Sequence, residues 1–156
     1  MKATVGAFER QTGPDSPVAL GPTRGIPRTA AKKYPLHVLV VDDEPLIRWS
    51  VTETLVDLGL DVDEAECAAS ALRAITTAAL PFDVILLDLR LPDMCDLSLL
   101  ATIRQLLPET PVVLMTAVGS PELIAHARQL GVRAVLNKPF ELGELSRVVI
   151  EALRPA

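Results

Sequence analysis

The chain has 156 residues, nearly half of them apolar, and a formal net charge of −5 at pH 7. This length fits one compact domain with a tail, and the acidic balance argues against a broad electrostatic surface for nucleic acid. No apolar run reaches membrane-spanning length, and the N-terminus lacks the apolar core of a signal peptide. Cys67 and Cys95 fit neither a disulfide framework nor a metal-ligand spacing, so we expect a cytoplasmic protein with reduced thiols.

Residues 1–34 differ in composition from the rest of the chain. They contain four prolines, four glycines and six Lys or Arg residues against two acids, which leaves this segment at +4 and the remainder at −9. The segment shows no apolar periodicity, and it cannot bury enough surface to offset the entropy of ordering it. We therefore predict a flexible N-terminal leader over residues 1–34 and one folded domain over residues 35–156.

The first part of the folded domain is predicted to form two strand–helix units. The apolar strand His37–Val41 precedes a helix that begins at Pro45 and ends near Gly59, because proline suits the first helical turn and glycine the position after the last. A weaker strand, Asp61–Ala65, precedes a short helix predicted over residues 71–76.

Three more strand–helix units are predicted to follow. The third unit is a strand over 82–87 with a helix over 99–107. The fourth is a strand over 112–115 with a helix between the Ser120-Pro121 cap and Gly131, and the fifth is a strand over 134–136 with a helix over 142–152. Four of the five strands are continuous apolar runs, as is typical of strands buried on both faces. The pattern predicts an α/β fold with a doubly wound, five-stranded parallel sheet and right-handed crossovers.

Polar side chains directly follow the apolar strands, at the sheet edge where ligands bind in folds of this type. They are Asp42, Asp43, Asp88, Thr116 and Lys138. Three clustered carboxylates need protonation or a cation, and an all-oxygen site suits Mg²⁺. Such a site could activate a carboxylate toward a phosphoryl group, with Lys138 pairing with the phosphate and the Thr116 hydroxyl hydrogen-bonding to it.

Each of these residues, taken singly, also has a plain structural interpretation. The pair Asp42 and Asp43 could cap the following helix, Asp88 could be a turn residue at a strand end, and Lys138 could be a solvated surface residue. Trp49, on the first predicted helix, is interpreted as a packing residue. The combination of the polar residues at successive strand ends, rather than any one of them, favours a functional site.

Residues 36–154 resemble the receiver domain of two-component response regulators, in the single-domain arrangement of the chemotaxis regulators. The matching segments are VVDDEP at 40–45, DVILLDLRLPD at 83–93, LMTA at 114–117 and NKPF at 137–140. Their order and spacing also match. The resemblance implies a flavodoxin-like fold with strand order 2-1-3-4-5 and a signalling switch that works in a phosphorelay.

The resemblance further implies a role for each matching residue. Asp88 is expected to be the phosphoacceptor, and the ligands of Mg²⁺ are expected to be Asp42, Asp43, Asp88 and the backbone carbonyl of Arg90. Thr116 and Lys138 are expected to bind the phosphoryl group, and the bond between Lys138 and Pro139 is expected to be cis. The protein is not expected to be an enzyme beyond assisting its own phosphorylation and dephosphorylation.

The expected partners are proteins, with no direct contact to nucleic acid or membrane. The phosphoryl donor would be a sensor histidine kinase or a histidine phosphotransfer protein. Because the last predicted helix ends close to Ala156, output is expected from a partner docked on the fourth helix, fifth strand and fifth helix, at 122–130, 134–136 and 142–153; the alternative is that the chain is a fragment of a longer regulator. The residues expected to contact that partner are Ser120, Glu122, His126, Arg133 and Arg147.

The sequence departs from the family pattern at four positions. Val135 replaces the usual Tyr or Phe that moves on phosphorylation, and Asp96 replaces the usual glycine after the phosphoacceptor. Arg90 and Val118 occupy the positions that tune dephosphorylation, and neither side chain can accept a hydrogen bond from an attacking water. We therefore expect slow self-dephosphorylation and a long-lived phosphorylated state.

Two other functions compete with a phosphorylation switch. Val135 and Asp96 favour a receiver-like protein-interaction module that does not use phosphorylation, whereas the complete set of acidic and basic site residues argues against it. A phosphatase that forms an aspartyl phosphate typically carries a second acidic residue two positions after the nucleophile. This chain has Arg90 at that position, which argues against a phosphatase.

Overall fold

The computed structural model describes residues 34–117 and 119–155, so most of the predicted leader and Val118 lie outside the described residues. Strands and helices alternate strictly along the described part. They are β1 (His37–Val41), α1 (Pro45–Asp57), β2 (Asp61–Ala65), α2 (Ala68–Thr77), β3 (Val84–Asp88), α3 (Ser98–Leu106), β4 (Val112–Thr116), α4 (Pro121–Gln129), β5 (Ala134–Asn137) and α5 (Leu142–Ala152). None of these helices is long and apolar enough to cross a membrane.

The five strands form one parallel sheet in the order β2-β1-β3-β4-β5, which confirms the predicted topology. Each face of the sheet has its own apolar core. On one face Leu55 of α1 and Leu145 of α5 pack with residues of the central strands. On the other face Ala71 of α2, Ile103 of α3 and Ala127 of α4 pack against the same sheet. The sheet is therefore doubly wound, and its central strands are buried on both sides.

Three strands extend further than the apolar pattern predicted, each by one polar residue. β3 includes Asp88, β4 includes Thr116 and β5 includes Asn137, since Asp88 pairs with Met115 and Thr116 pairs with Asn137. Backbone pairing does not depend on an apolar side chain, so hydropathy alone ends these strands too early. The three residues consequently lie within the rigid sheet rather than in the loops.

Helix α2 begins at Ala68, three residues before the predicted start. Cys67, directly before the helix, and Ser70, in its first turn, form a reciprocal cap. The Cys67 thiol accepts the Ser70 N–H at 3.4 Å, and the Ser70 hydroxyl accepts the Cys67 N–H at 3.1 Å. Cysteine is not among the preferred N-cap residues, so the start of α2 is only weakly marked in the sequence. The Ser120 cap of α4 is confirmed, because its hydroxyl accepts the Leu123 N–H at 3.2 Å.

Helix α1 is apolar on two sides. Val51 and Leu55 are fully buried against the sheet, while Leu46, Trp49 and Val56 are exposed by 74%, 60% and 50% on the outer side. The interpretation of Trp49 as a packing residue was therefore wrong. A helix that carries apolar residues on its solvent side as well offers them for contact with another molecule.

Candidate functional site

The carboxyl ends of four adjacent strands, β1, β3, β4 and β5, bring together the polar residues predicted from sequence. Asp42 follows β1 and has no exposed surface, while Asp88 at the end of β3 is 4% exposed and Thr116 at the end of β4 is 3% exposed. Asp43 follows Asp42 and is exposed. Lys138 directly follows β5. The edge is thus acidic in its centre and open to solvent beside Asp43.

Four carboxylates meet at this edge, one more than the sequence analysis singled out. One oxygen from each of Asp42, Asp43, Glu44 and Asp88 lies within 4.8 Å of the others. Glu44 was missed, although its position directly after Asp42 and Asp43 is a signal that could have found it. Two carboxylates about 4 Å apart repel by about 4 kcal/mol at an effective dielectric constant near 20. The cluster therefore favours binding of a cation.

The Lys138 side chain, only 7% exposed, supplies positive charge to this cluster. Its Nζ atom lies 2.7 Å from Asp42 Oδ2, 3.0 Å from Asp88 Oδ2 and 3.3 Å from Glu44 Oε1. One ammonium cannot neutralise four carboxylates. It holds Asp42 and Asp88 side by side and leaves net negative charge at the open side of the cluster.

Burial and pairing shift the pKa values of this pair. Burial is the largest influence on Asp42 and raises the pKa of its carboxyl group, against the opposing effects of the Lys138 ammonium beside it and of the hydrogen bond from the Glu44 N–H. Burial alone would lower the pKa of Lys138, but its close contacts with the Asp42 and Asp88 carboxylates outweigh burial and raise that pKa above its ordinary value. Lys138 therefore stays charged, and an additional cation would favour the ionised form of the buried Asp42.

The donor set fits Mg²⁺. Asp42 Oδ2 is buried and accepts no well-aligned hydrogen bond, although Lys138 Nζ lies 2.7 Å away. A buried oxygen that lacks a well-aligned hydrogen bond is stabilised by a further electropositive partner. The neighbouring donors are carboxylate oxygens, which suit a hard cation that keeps several waters. No nitrogen or sulfur ligand is in the cluster.

Backbone contacts hold the remaining predicted residues around Asp88. The N–H of Arg90 donates to Asp88 Oδ1 at 3.0 Å, which fixes the first turn of the loop after β3. The N–H of Lys138 donates to the Thr116 carbonyl at 2.7 Å. The Lys138–Pro139 bond is cis, as expected. The described geometry thus places Thr116 and Lys138 at one end of β4 and β5 beside the acidic cluster.

Two of the four departures from the family pattern are accommodated without an unpaired polar group. Asp96 accepts the Ser98 N–H at 2.8 Å and so caps the start of α3. Val135 is half-buried, faces Leu114 across β4 and β5, and packs with the core of that face. Val118 lies outside the described residues, and Arg90 is exposed.

An apolar groove of about 220 Å³ opens next to Lys138, between α1 and the start of α5. Its lining includes Leu46 and Ile47 of α1, Phe140 and Leu142. The exposed Trp49 belongs to the same helix. The five residues predicted to contact an output partner are all exposed: Ser120, Glu122, His126, Arg133 and Arg147.

The sequence of this chain is similar to those of known response regulators. The family model of the response regulator receiver domain matches residues 38–150. Response regulator protein PilR of Pseudomonas aeruginosa is 41% identical over 116 residues, which are 74% of this chain and 26% of PilR. The DNA-binding transcriptional regulator NtrC of Klebsiella pneumoniae is 38% identical over 114 residues, 73% of this chain and 24% of NtrC. The chain thus spans about a quarter of the length of these curated relatives.

Solved structures share the same fold. A CheY-like response regulator receiver domain protein from Methanospirillum hungatei aligns with a TM-score of 0.72 at 28% identity, over 77% of this chain and 94% of that one. The receiver domain of NtrX from Brucella abortus aligns with a TM-score of 0.69 at 36% identity, over 76% of this chain and 99% of that one.

Proposed function

This chain belongs to the receiver-domain family of two-component response regulators, and we propose that it is a phosphorylation-dependent switch whose phosphoacceptor is Asp88. The observation that carries the proposal is the contact of one buried lysine, Lys138, with both Asp42 and Asp88 inside the four-carboxylate cluster. A carboxylate nucleophile beside a fixed cationic side chain is the arrangement that transfer of a phosphoryl group to aspartate requires.

In this proposal a carboxylate oxygen of Asp88 forms a bond to phosphorus as the bond from phosphorus to the donor nitrogen breaks. Asp42, Asp43, Asp88 and the Arg90 carbonyl would hold Mg²⁺, which when bound offsets the negative charge of the carboxylates and of the phosphoryl oxygens. Lys138 would pair with a phosphoryl oxygen, and the Thr116 hydroxyl would donate a hydrogen bond to another. The charge added at Asp88 would then change how the surface binds its partners.

The proposed donor is the phosphohistidine of a sensor kinase or of a histidine phosphotransfer protein. Receiver domains interact with proteins of these two kinds. The apolar groove beside Lys138 and the exposed outer side of α1 support a protein donor here, because they border the site that the phosphohistidine must reach. We further propose that an output partner docks on α4, β5 and α5, without direct contact to nucleic acid or membrane.

The chain is proposed to act catalytically only on itself, in assisting its own phosphorylation and dephosphorylation. Its proposed location is the cytoplasm, where the unpaired thiols of Cys67 and Cys95 would be kept reduced.

The direct test is phosphorylation by acetyl phosphate, followed by intact mass. We expect one phosphoryl adduct that requires Mg²⁺ and is lost in Asp88→Asn. An Asp96→Asn variant is the matched control, since it removes a carboxylate from the same loop outside the cluster, and it should still form the adduct. A folded chain that binds Mg²⁺ but forms no adduct would instead favour the phosphorylation-independent interaction module.

The lifetime of the adduct tests the role of the dephosphorylation-tuning positions. The exposed side chain of Arg90 has only donors and cannot orient an attacking water by accepting its proton. We expect the aspartyl phosphate to persist for many minutes after the donor is removed, and Arg90→Asn to shorten its half-life. A half-life of seconds in the unaltered protein would overturn this expectation.

A further inference from the structure

We propose that Asp93 is a positioning residue for the cation site, which it serves by tying the loop that carries Arg90 to the first turn of α2. The inference rests on the proposed function, because it concerns how tightly the acidic cluster and the Arg90 carbonyl hold Mg²⁺. Asp93 is itself no ligand in this proposal and lies outside the cluster of four carboxylates.

The first turn of α2 depends on Asp93 for its hydrogen bonds. Its local cap is weak, because a cysteine sulfur accepts only the Ser70 N–H, and the turn contains no acidic residue. The backbone N–H groups of Ala68 and Ala69 would otherwise have no partner within the helix. They donate to Asp93 Oδ1 at 2.8 Å and Oδ2 at 2.9 Å. These two hydrogen bonds place a full negative charge at the positive end of the helix dipole.

The same contact fixes the loop that follows Asp88. Leu91 and Met94 exchange backbone hydrogen bonds of 3.0 and 3.2 Å, which close a tight turn with Asp93 inside it. Leu91 is buried, so the turn is also anchored to the core. The preceding residue, Arg90, is held from the other side by its N–H bond to Asp88 Oδ1. The Arg90 carbonyl therefore lies on a short segment with both ends fixed.

Through Asp93 this segment connects back to the other half of the acidic cluster. Helix α2 follows β2 after a short link, and the carbonyl of Ala65 at the end of β2 accepts the N–H of Asp42 at 3.0 Å. The path from Asp42 through Ala65, α2 and Asp93 to Arg90 and Asp88 combines the covalent chain with hydrogen bonds to the Ala65 carbonyl and to the Asp93 and Asp88 carboxylates, and the pairing of β1 with β3 closes it into a frame around the site. Opening that frame at Asp93 lets the Arg90 carbonyl shift relative to Asp42, without removing any proposed ligand.

The lowered pKa of Asp93 agrees with this role. The N–H groups of Ala68 and then Ala69 are the main causes of the lowering. The carboxylate is therefore ionised at the near-neutral pH at which a phosphorylation switch works, and its hydrogen bonds to the first turn of α2 are kept at that pH.

The test is calorimetric titration of Mg²⁺ into the unphosphorylated full chain and its variants. We expect Asp93→Ala to raise the Mg²⁺ dissociation constant by about tenfold, the lower end of the effect of losing an outer-shell partner. Asp93→Asn keeps one acceptor oxygen and should raise it by only about threefold, as a partial loss of that support. Asp96→Ala removes a loop carboxylate that caps α3 locally, and we expect it to change the constant by less than about twofold because it leaves the frame closed.

Three results separate the possible outcomes. If the unaltered chain binds Mg²⁺ and accepts phosphate but Asp93→Ala binds Mg²⁺ equally well, the positioning role is wrong and the proposed function stands. If the unaltered chain binds no Mg²⁺, both fail. If Asp93→Ala and Asp96→Ala weaken binding equally, the effect is general loosening of the loop and the inference is overturned.

Should Asp93→Ala not fold, the smaller shift expected for Asp93→Asn decides the question. At saturating Mg²⁺, both Asp93 variants should still reach the full adduct yield.

Discussion

Lys138 is the residue on which the unphosphorylated site depends for charge balance. Its ammonium lies within 3.0 Å of both Asp42 and Asp88, and all three side chains are at most 7% exposed. Lys138→Met would leave two buried carboxylates without that partner. We expect the free energy of unfolding in urea at neutral pH to fall by about 3 kcal/mol, as when one member of a buried ion pair is removed.

A double variant separates loss of charge from loss of packing at Lys138. Asp42→Asn removes one of the carboxylates that the lysine neutralises, so Lys138→Met should cost less stability in that background than in the unaltered chain. An equal cost in both backgrounds would mean that the pair between Asp42 and Lys138 adds nothing to stability, and that the cost comes from the contact with Asp88 or from packing of the lysine stem.

The carboxylate of Asp93 makes a pH-dependent contribution to stability. Its pKa in the folded chain is lowered by the N–H groups of Ala68 and Ala69 relative to the usual value for aspartate. A lowered folded-state pKa means that the stabilisation is complete above the unfolded-state pKa, about 3.9, and is lost as pH falls through the folded-state value. Asp93→Asn should therefore lower the urea midpoint at neutral pH, and the difference should shrink under strongly acidic conditions. A difference that is independent of pH would contradict this.

At the scale of elements, α1 has two apolar sides with separate roles. The inner side packs on the sheet, while Trp49 is 60% exposed on the outer side, three residues after Leu46, which lines the groove beside Lys138. If the outer side receives the phosphohistidine protein, Trp49→Ala should lower the second-order rate of transfer from that protein by at least about tenfold, as for an interface hot spot. Phosphorylation by acetyl phosphate should be unchanged, because a small donor needs no docking surface.

Val56→Ala is the matched control for this prediction. Val56 is a 50% exposed apolar residue at the other end of the same helix and does not line the groove. It should leave both rates unchanged. Equal loss of transfer in both variants would indicate a general effect of altering α1, and no loss in Trp49→Ala would exclude the outer side of α1 near the groove as the donor surface.

The elements also show what hydropathy can and cannot predict. β1 and α5 have the bounds expected from their residues, because continuous burial and regular helical spacing leave a clear pattern, and the weaker strand β2 also has its expected bounds although only Ala65 in it is buried. The start of α2 was placed three residues late, since its caps are a cysteine sulfur and a carboxylate 25 residues away in sequence. The exposure of Trp49 was also missed, because a helix that is apolar on two sides has no distinct buried stripe.

At the scale of the whole molecule, topology explains why the site could be predicted. In a doubly wound sheet the carboxyl ends of the central strands share one edge, so Asp42 and Asp88 had to be neighbours once β1 and β3 were recognised. Glu44 and Asp93 were not foreseen as parts of the site or its support. Glu44 reaches the cluster from the turn after β1, and Asp93 in its proposed role acts through hydrogen bonds between the loop after β3 and the first turn of α2, which hydrophobic periodicity does not report.

If Mg²⁺ binds the carboxylate cluster as proposed, the same topology makes the ion a stabiliser of the fold. Asp42 and Asp88 are 46 residues apart in sequence and adjacent only when β1 and β3 pair, so the unfolded chain cannot present the cluster. A ligand that binds only the folded state adds about 1.4 kcal/mol at ten times its dissociation constant. We expect the urea midpoint to rise with Mg²⁺ concentration. NaCl at matched ionic strength should have a smaller effect, because it only screens the net charge of −5.

Asp88→Asn provides the decisive comparison for this stabilisation. The variant removes one carboxylate from the cluster, so its folded state should be relieved of repulsion and gain less from Mg²⁺ than the unaltered chain does. Asp96→Asn, which lies outside the cluster, should keep the full response. If all three proteins respond to Mg²⁺ alike, the ion acts elsewhere or only by screening, and the carboxylate cluster at the ends of β1 and β3 is not its binding site.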